Sequence, residues 1–218
     1  MADARILYLA RHGETDWNAE GRWQGQTDVP LNDRGREQAR AIADRLRGAG
    51  LASIATSDLL RASATAGIVA ADLGITVSHV DANLRERRFG CFEGLTREEA
   101  AASFPDAWAR YLADPGPAPP GGESRDEMLG RLLPAVLDAA ARLAPPLLVV
   151  MHGGAMSALL ADHVGAMPRP ESAAWPLHGI QNGQVYRVTL ASRRISLAAL
   201  YPQAPMTPPP GWVAAPQR

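Results

Sequence analysis

The chain has 218 residues, 46% of them hydrophobic, and a formal net charge of −1, enough apolar material for a substantial core and no charge bias toward a nucleic-acid or membrane partner. All 22 basic residues are arginine, which excludes a Schiff-base lysine and a Walker-type phosphate loop but keeps the side chain whose planar fork best matches phosphate oxygens. Cys91 is the only cysteine, so internal disulfides and cysteine-rich zinc sites are excluded.

In chain order, Asp3 and Arg5 precede the apolar run Ile6-Leu7-Tyr8-Leu9-Ala10, which Arg11 ends. The run is too short and too charged at its flanks for a signal peptide, and no apolar stretch reaches membrane-spanning length, so a cytoplasmic protein is expected. Asn32 reads as the cap of a helix over 33–47, with Ala39, Ile42, Ala43 and Leu46 at helical spacing and Gly48 stopping it. A short strand over 53–57, a helix over about 58–72 ending near Gly74, and a strand over 75–80 follow. This βαβαβ opening predicts a three-layer α/β/α sandwich with a mostly parallel central sheet.

Residues 82–122 hold a charged loop, one or two short helices and a proline-glycine stretch from Asp114 to Gly122. They are expected to form a loop-rich cap inserted into a single domain spanning 1–201. Ser124 and Glu127 form a capping box for a helix to about 143, which Pro134 should kink or split. A strand over 147–151, a helix over about 155–164 and a strand pair over 184–190 and 194–200 complete the pattern. The tail from 202 to 218 has six prolines and no periodicity, and is expected to be extended.

Two motifs carry the chemistry. Arg11-His12-Gly13-Glu14-Thr15 and His152-Gly153-Gly154 each stand at the end of a buried-type strand, and in an open α/β sheet ligands gather at the carboxyl ends of the strands. A lone histidine is more often a satisfied structural residue than a catalytic one. An arginine before it and a glycine after it, at a strand end, weigh against that reading for His12, because the glycine offers the close approach or positive φ that a phosphate-binding turn uses. His79, His163 and His178 lack that context and read as structural or surface residues. Arg85, Arg87 and Arg88 read as a solvated loop face. Two histidines could suggest zinc, but both neighbour arginines that repel a cation, so no metal and no cofactor is expected.

The segment Arg11-His12-Gly13-Glu14-Thr15-Asp16-Trp17-Asn18 resembles the signature of the histidine phosphatase superfamily, the phosphoglycerate mutase-like group. Further matches stand in order: Gln24-Gly25 with Asp28-Val29-Pro30-Leu31, Ser57 to Ala62 with Thr65-Ala66, and Leu84-Arg85-Glu86 with Phe89-Gly90 and Glu93-Gly94. They end with Gly121-Gly122-Glu123-Ser124 and His152-Gly153-Gly154. The resemblance implies a phosphomonoester hydrolase in which His12 is the nucleophile and Arg11, Arg61 and His152 clamp the phosphoryl group. Asn18, Gln24, Gly25 and Gly153 join it in phosphate binding. Expelling an alkoxide needs a proton, and Glu14, Glu86, Glu93 and Glu123 are the candidates; the family places that role on Glu86. Glu14 follows the nucleophile too closely, Glu93 reads as loop-structural and Glu123 has no firm role.

The expected partner is a small phosphorylated metabolite, with no nucleic acid and no membrane; a homodimer is left open. A 2,3-bisphosphoglycerate-dependent phosphoglycerate mutase is the alternative, and an inactive phospholigand-binding regulatory protein a more remote one. The mutases carry an arginine pair before a proline-rich segment and an asparagine two places after the second histidine. Here Trp108 to Pro115 has only Arg110, and Gly154 takes the asparagine's place.

Overall fold

The computed structural model describes residues 4–164, 180–191 and 194–200, without the side chains of 163–164 and 194–200. The expected tail and His178 lie outside these residues.

β1 (Arg5–Arg11), β2 (Ser53–Thr56), β3 (Val77–Val80), β4 (Leu147–Met151), β5 (Val185–Ala191) and β6 (Arg194–Leu200) form one sheet in the order β3-β2-β4-β1-β5-β6. β1, β2, β3 and β4 pair in parallel, and only β5 runs against its neighbours. β4 is buried at all five positions, as an apolar run in the middle of a parallel sheet must be.

Alternation along the central strands divides the core. Leu7, Leu9, Leu147, Val149 and Met151 face α6 (Arg125–Arg142) and α7 (Gly153–Val164). Tyr8, Ala10, Leu148 and Val150 face α2 (Asp33–Leu46) and α3 (Leu60–Leu73). The result is the α/β/α layering expected from the βαβαβ opening.

Local chemistry sets the helix ends. Asn32 Oδ1 accepts from Gly35 N–H at 2.8 Å and opens α2. Ser124 and Glu127 complete a capping box at the start of α6. Gly74, in the left-handed region at φ +68°, closes α3, and Ile75 N–H donates back to Ala70 O at 3.0 Å. That bond commits Ile75 to the helix end, so β3 begins at Val77 rather than at 75.

Pro134 neither splits α6 nor ends it: the helix runs unbroken through it. Pro134 lies on the exposed side, while Leu129, Leu132, Ala135, Val136, Ala139 and Ala140 are buried against the sheet. Burial of a Leu or Val side chain is worth roughly 1.5–3 kcal/mol, so the packed face outweighs the ~3 kcal/mol that an interior proline costs.

Between β3 and α6 lie two 3₁₀ turns (Ala82–Leu84 and Gly90–Phe92), α4 (Arg97–Ser103) and α5 (Pro105–Ala113). Phe89, Phe92, Trp108 and Tyr111 form a separate aromatic cluster with Trp23, with several ring pairs edge to face. The short α1 (Asp16–Ala19) follows the first histidine motif. Among the described residues no helix is long and apolar enough to cross a membrane.

Candidate active site

The sheet order places β1 beside β4, with Arg11 opposite Met151. One residue further on, both strands end at a histidine. His12 N–H donates to Met151 O at 3.0 Å, and the rings of His12 and His152 lie 5.2 Å apart. Both are almost fully buried, at 3% and 1% exposure.

His12 Nδ1 is 2.6 Å from Gly13 O. A carbonyl can only accept, so Nδ1 carries the proton and Nε2 keeps its lone pair. Burial, then the charges of Arg61 and Arg11, hold the His12 imidazole well below its usual pKa. Burial and the charge of Arg61, followed by His12 and Arg11, do the same for His152. Both rings are therefore neutral at pH 7.

Two guanidiniums flank the rings. Arg11, the last residue of β1, donates from Nη1 to Ile180 O. Arg61, the second residue of α3, is 1% exposed and donates to Thr27 O at 2.8 Å and Gly25 O at 2.7 Å. Burial lowers both to about 10, which leaves them charged at neutral pH. Arg11 Nε, Arg61 Nε, Gln24 Oε1 and both ring nitrogens of His152 are buried with no hydrogen-bond partner among the described residues. A pocket of about 230 Å³ is lined by Arg11, His12, Asn18, Gln24, Gly25 and Arg61 together with Glu86, Gly153 and Gly154.

Glu86 sits at the start of α7. Its Oε1 accepts from Arg87 N–H and Ala155 N–H, and its Oε2 accepts from Gly154 N–H, all at 2.8 Å. The N-terminal amides of a helix are natural partners for a carboxylate. Arg131 of α6 fixes the same loop from behind, donating to the carbonyls of Asn83, Arg85 and Glu86 while paired with Glu123. Glu123, which the sequence leaves without a role, is thus a brace.

Of the three arginines expected on a solvated loop face, Arg87 is buried. Arg87 is 5% exposed and donates to the carbonyls of Pro115, Gly116, Pro117 and Glu123, and Arg85 makes a two-pronged pair with Asp58. The proline-glycine loop leaves its carbonyls without helix or sheet partners, and a guanidinium with five donors gathers them. Arg88 is exposed as expected, and Arg85 is half-exposed in its pair with Asp58.

Of the two uses expected of it, Gly13 shows close approach, directed at α2. It has no positive φ, its N–H donates to Thr65 Oγ1 at 3.0 Å, and a Cβ there would lie 2.2 Å from Gly35 O. The glycine serves the close approach of the histidine loop to α2. Glu93 accepts from Gln26 N–H, Thr27 N–H, Thr27 Oγ1 and Phe89 N–H, a loop-structural role. Glu14 accepts from Asn32 Nδ2. His79 lies 3.8 Å from Asp81, away from the pocket.

Asn182, just before β5, lines the pocket, and no motif in the sequence marks it. Followed by Gly183 it has the look of an ordinary turn residue, and only its placement beside Asn18 distinguishes it. Among the described residues no group of three or more His, Cys, Asp or Glu is placed to hold a metal ion.

A sequence profile of the histidine phosphatase superfamily (branch 1) matches residues 7–201. A glucosyl-3-phosphoglycerate phosphatase of Mycolicibacterium vanbaalenii is 39% identical over 183 residues, covering 80% of this chain and 79% of that protein. A probable phosphoglycerate mutase of Yersinia pestis is 41% identical over 169 residues, covering 73% and 74%. The solved mycobacterial glucosyl-3-phosphoglycerate phosphatase in complex with VO3 superposes with a TM-score of 0.76 at 35% identity, over 89% of this chain and 98% of that one. Paired histidines at neighbouring strand ends, two buried arginines and a match over nearly the whole sheet agree: the chain belongs to the histidine phosphatase superfamily, branch 1.

Proposed function

We propose that the chain is a phosphomonoesterase that hydrolyses small phosphorylated metabolites through a phosphohistidine on His12. The observation that carries this reading is a neutral, buried imidazole with Nδ1 committed to Gly13 O, standing between two arginines whose Nε–H groups have no partner among the described residues. Such an array suits an in-line attack on phosphorus, where catalysis is largely positioning and charge stabilisation.

His12 Nε2 attacks phosphorus and the P–O bond to the leaving group breaks. Arg11, Arg61, His152 and Asn18 hold the equatorial oxygens. The step requires Glu86 in its protonated form, which gives its proton to the departing alkoxide and becomes the carboxylate. Water then attacks the phosphohistidine, Glu86 takes a proton from it, and the N–P bond breaks to regenerate His12 and release inorganic phosphate.

A phosphoglycerate mutase would share the first half of this sequence, and the Yersinia relative bears that name. Two features favour capture by water. Arg110 lies in a separate pocket with Asp114 and prolines, apart from the site of His12. Gly154 stands where the mutases carry asparagine, and a Cβ there would sit 2.8 Å from Glu86 Oε1, so a side chain could enter only if the Glu86 carboxylate moved. The names of the phosphatase relatives make glucosyl-3-phosphoglycerate a first substrate to assay.

The test follows the phosphoryl group. Rapid base quench of the enzyme with a radiolabelled phosphomonoester should trap acid-labile label on His12, and steady state should release it as inorganic phosphate. His12→Ala should abolish turnover with the fold retained. Label on another residue, or 3-phosphoglycerate isomerised faster than phosphate is released, would sink this reading.

A further inference from the structure

Asn18 can help bind a phosphoryl group only if its amide nitrogen faces the pocket, because its carbonyl oxygen would repel the phosphate. The direction of that amide is set by what surrounds Oδ1. Thr15 N–H donates to it at 3.2 Å, Thr15 Oγ1 at 3.1 Å and Asn182 Nδ2 at 3.1 Å. The Thr15 N–H contact belongs to the capping box of α1, and the Thr15 Oγ1 contact lies between the same two neighbouring side chains. Asn182 comes from 164 positions away.

Asn182 is itself fixed the right way round. Its Nδ2 lies 3.1 Å from His12 O and 3.3 Å from Gly13 O as well as close to Asn18 Oδ1. All three are acceptors, so the group facing them must be the –NH₂. Gly183, at φ +74°, turns the chain so that its N–H donates to Arg11 O at 3.2 Å and His12 O at 3.3 Å, which seats the turn on the histidine loop. Gly13 O, which Asn182 reaches, is also the acceptor that orients the His12 ring.

We propose that Asn182 is a positioning residue of the phosphoryl site: it holds Asn18 in the amide orientation that presents N–H to the phosphoryl group, and ties that donor to the histidine loop. A turn-forming asparagine would need no such partners; here both its amide protons go to groups of the site. The proposal rests on the phosphatase reading and on Asn18 contacting phosphate within it.

A double-mutant cycle with Asn18→Ala and Asn182→Leu tests it, read as kcat/KM for p-nitrophenyl phosphate and as affinity for orthovanadate. Losing one hydrogen bond to a charged oxygen, or misorienting its donor, should cost about 10- to 150-fold in each single variant. In the Asn18→Ala background, Asn182→Leu should then cost less than about twofold, since the two act as one unit. Losses that multiply would overturn the proposal and leave Asn182 as a turn residue. If Asn182→Leu does not fold, Asn182→Ala completes the same cycle. A wild type that binds orthovanadate without turning over substrate would refute the phosphatase reading alone, and the cycle on orthovanadate affinity would still decide the role of Asn182.

Discussion

At the scale of single residues, the site depends on close approaches that an added side-chain atom would disturb. Gly153 and Gly154 stand against Arg11 and Glu86: a Cβ at Gly153 would lie 3.0 Å from Arg11 Nε, and one at Gly154 would lie 2.8 Å from Glu86 Oε1. Gly154→Ala should push the Glu86 carboxylate from its seat on the α7 amides. Proton delivery then suffers where the leaving group is a poor one, so kcat/KM for an alkyl phosphate should fall about 10- to 100-fold. p-Nitrophenolate leaves without a proton and should be affected far less. Since kcat/KM reports the step in which the leaving group departs, equal losses on both substrates would take Glu86 out of the acid role. Little of this is visible in a string of glycines: the motif His152-Gly153-Gly154 draws attention, but which atom each glycine makes room for depends on what packs over it.

At the scale of elements, boundaries follow hydrogen-bond accounting more than propensity. The start of α2 and the capping box of α6 were legible because a cap is local chemistry, carried by Asn32 and by Ser124 with Glu127. β3 is shorter than its alternating pattern because Ile75 closes α3. Pro134 is the clearest case of tertiary burial overriding a local rule. Because it is exposed on an otherwise continuous helix, Pro134→Ala should restore a main-chain bond and stabilise the protein by about 1–2 kcal/mol, after discounting the freer unfolded chain. That corresponds to a rise in Tm of roughly 2–8 °C with turnover unchanged. An unchanged or lower midpoint would mean that α6 is shaped around the proline.

At the scale of the whole molecule, burying two imidazoles between arginines costs acid stability. Both His12 and His152 are held below their usual pKa in the fold, whereas the unfolded chain binds their protons near pH ~6.5. Below that value the unfolded state takes up protons that the folded state does not. Stability is therefore fully present above pH ~6.5 and lost as pH falls, by about 1.4 kcal/mol per unit for each histidine. Urea unfolding from pH 7.5 to 5 should show this slope for two groups, and His12→Gln should remove about half of it; a slope unchanged in that variant would show that other groups dominate.

The sequence by itself determined the layering of the sheet and the two histidine motifs at strand ends, because period-2 alternation, apolar runs and helix caps are local signals. It also carried the family, since the ordered motifs sit at defined points along the chain. Only the tertiary structure decided that β4 inserts between β1 and β2, setting His12 against His152, and that Arg87 and Arg131 are braces rather than surface charge. It alone brought Asn182 to Asn18 across 164 positions. The reason is physical: a hydrogen bond between distant segments leaves no periodicity in the chain, and a buried arginine is spelled the same as a solvated one until its acceptors arrive from elsewhere in the fold.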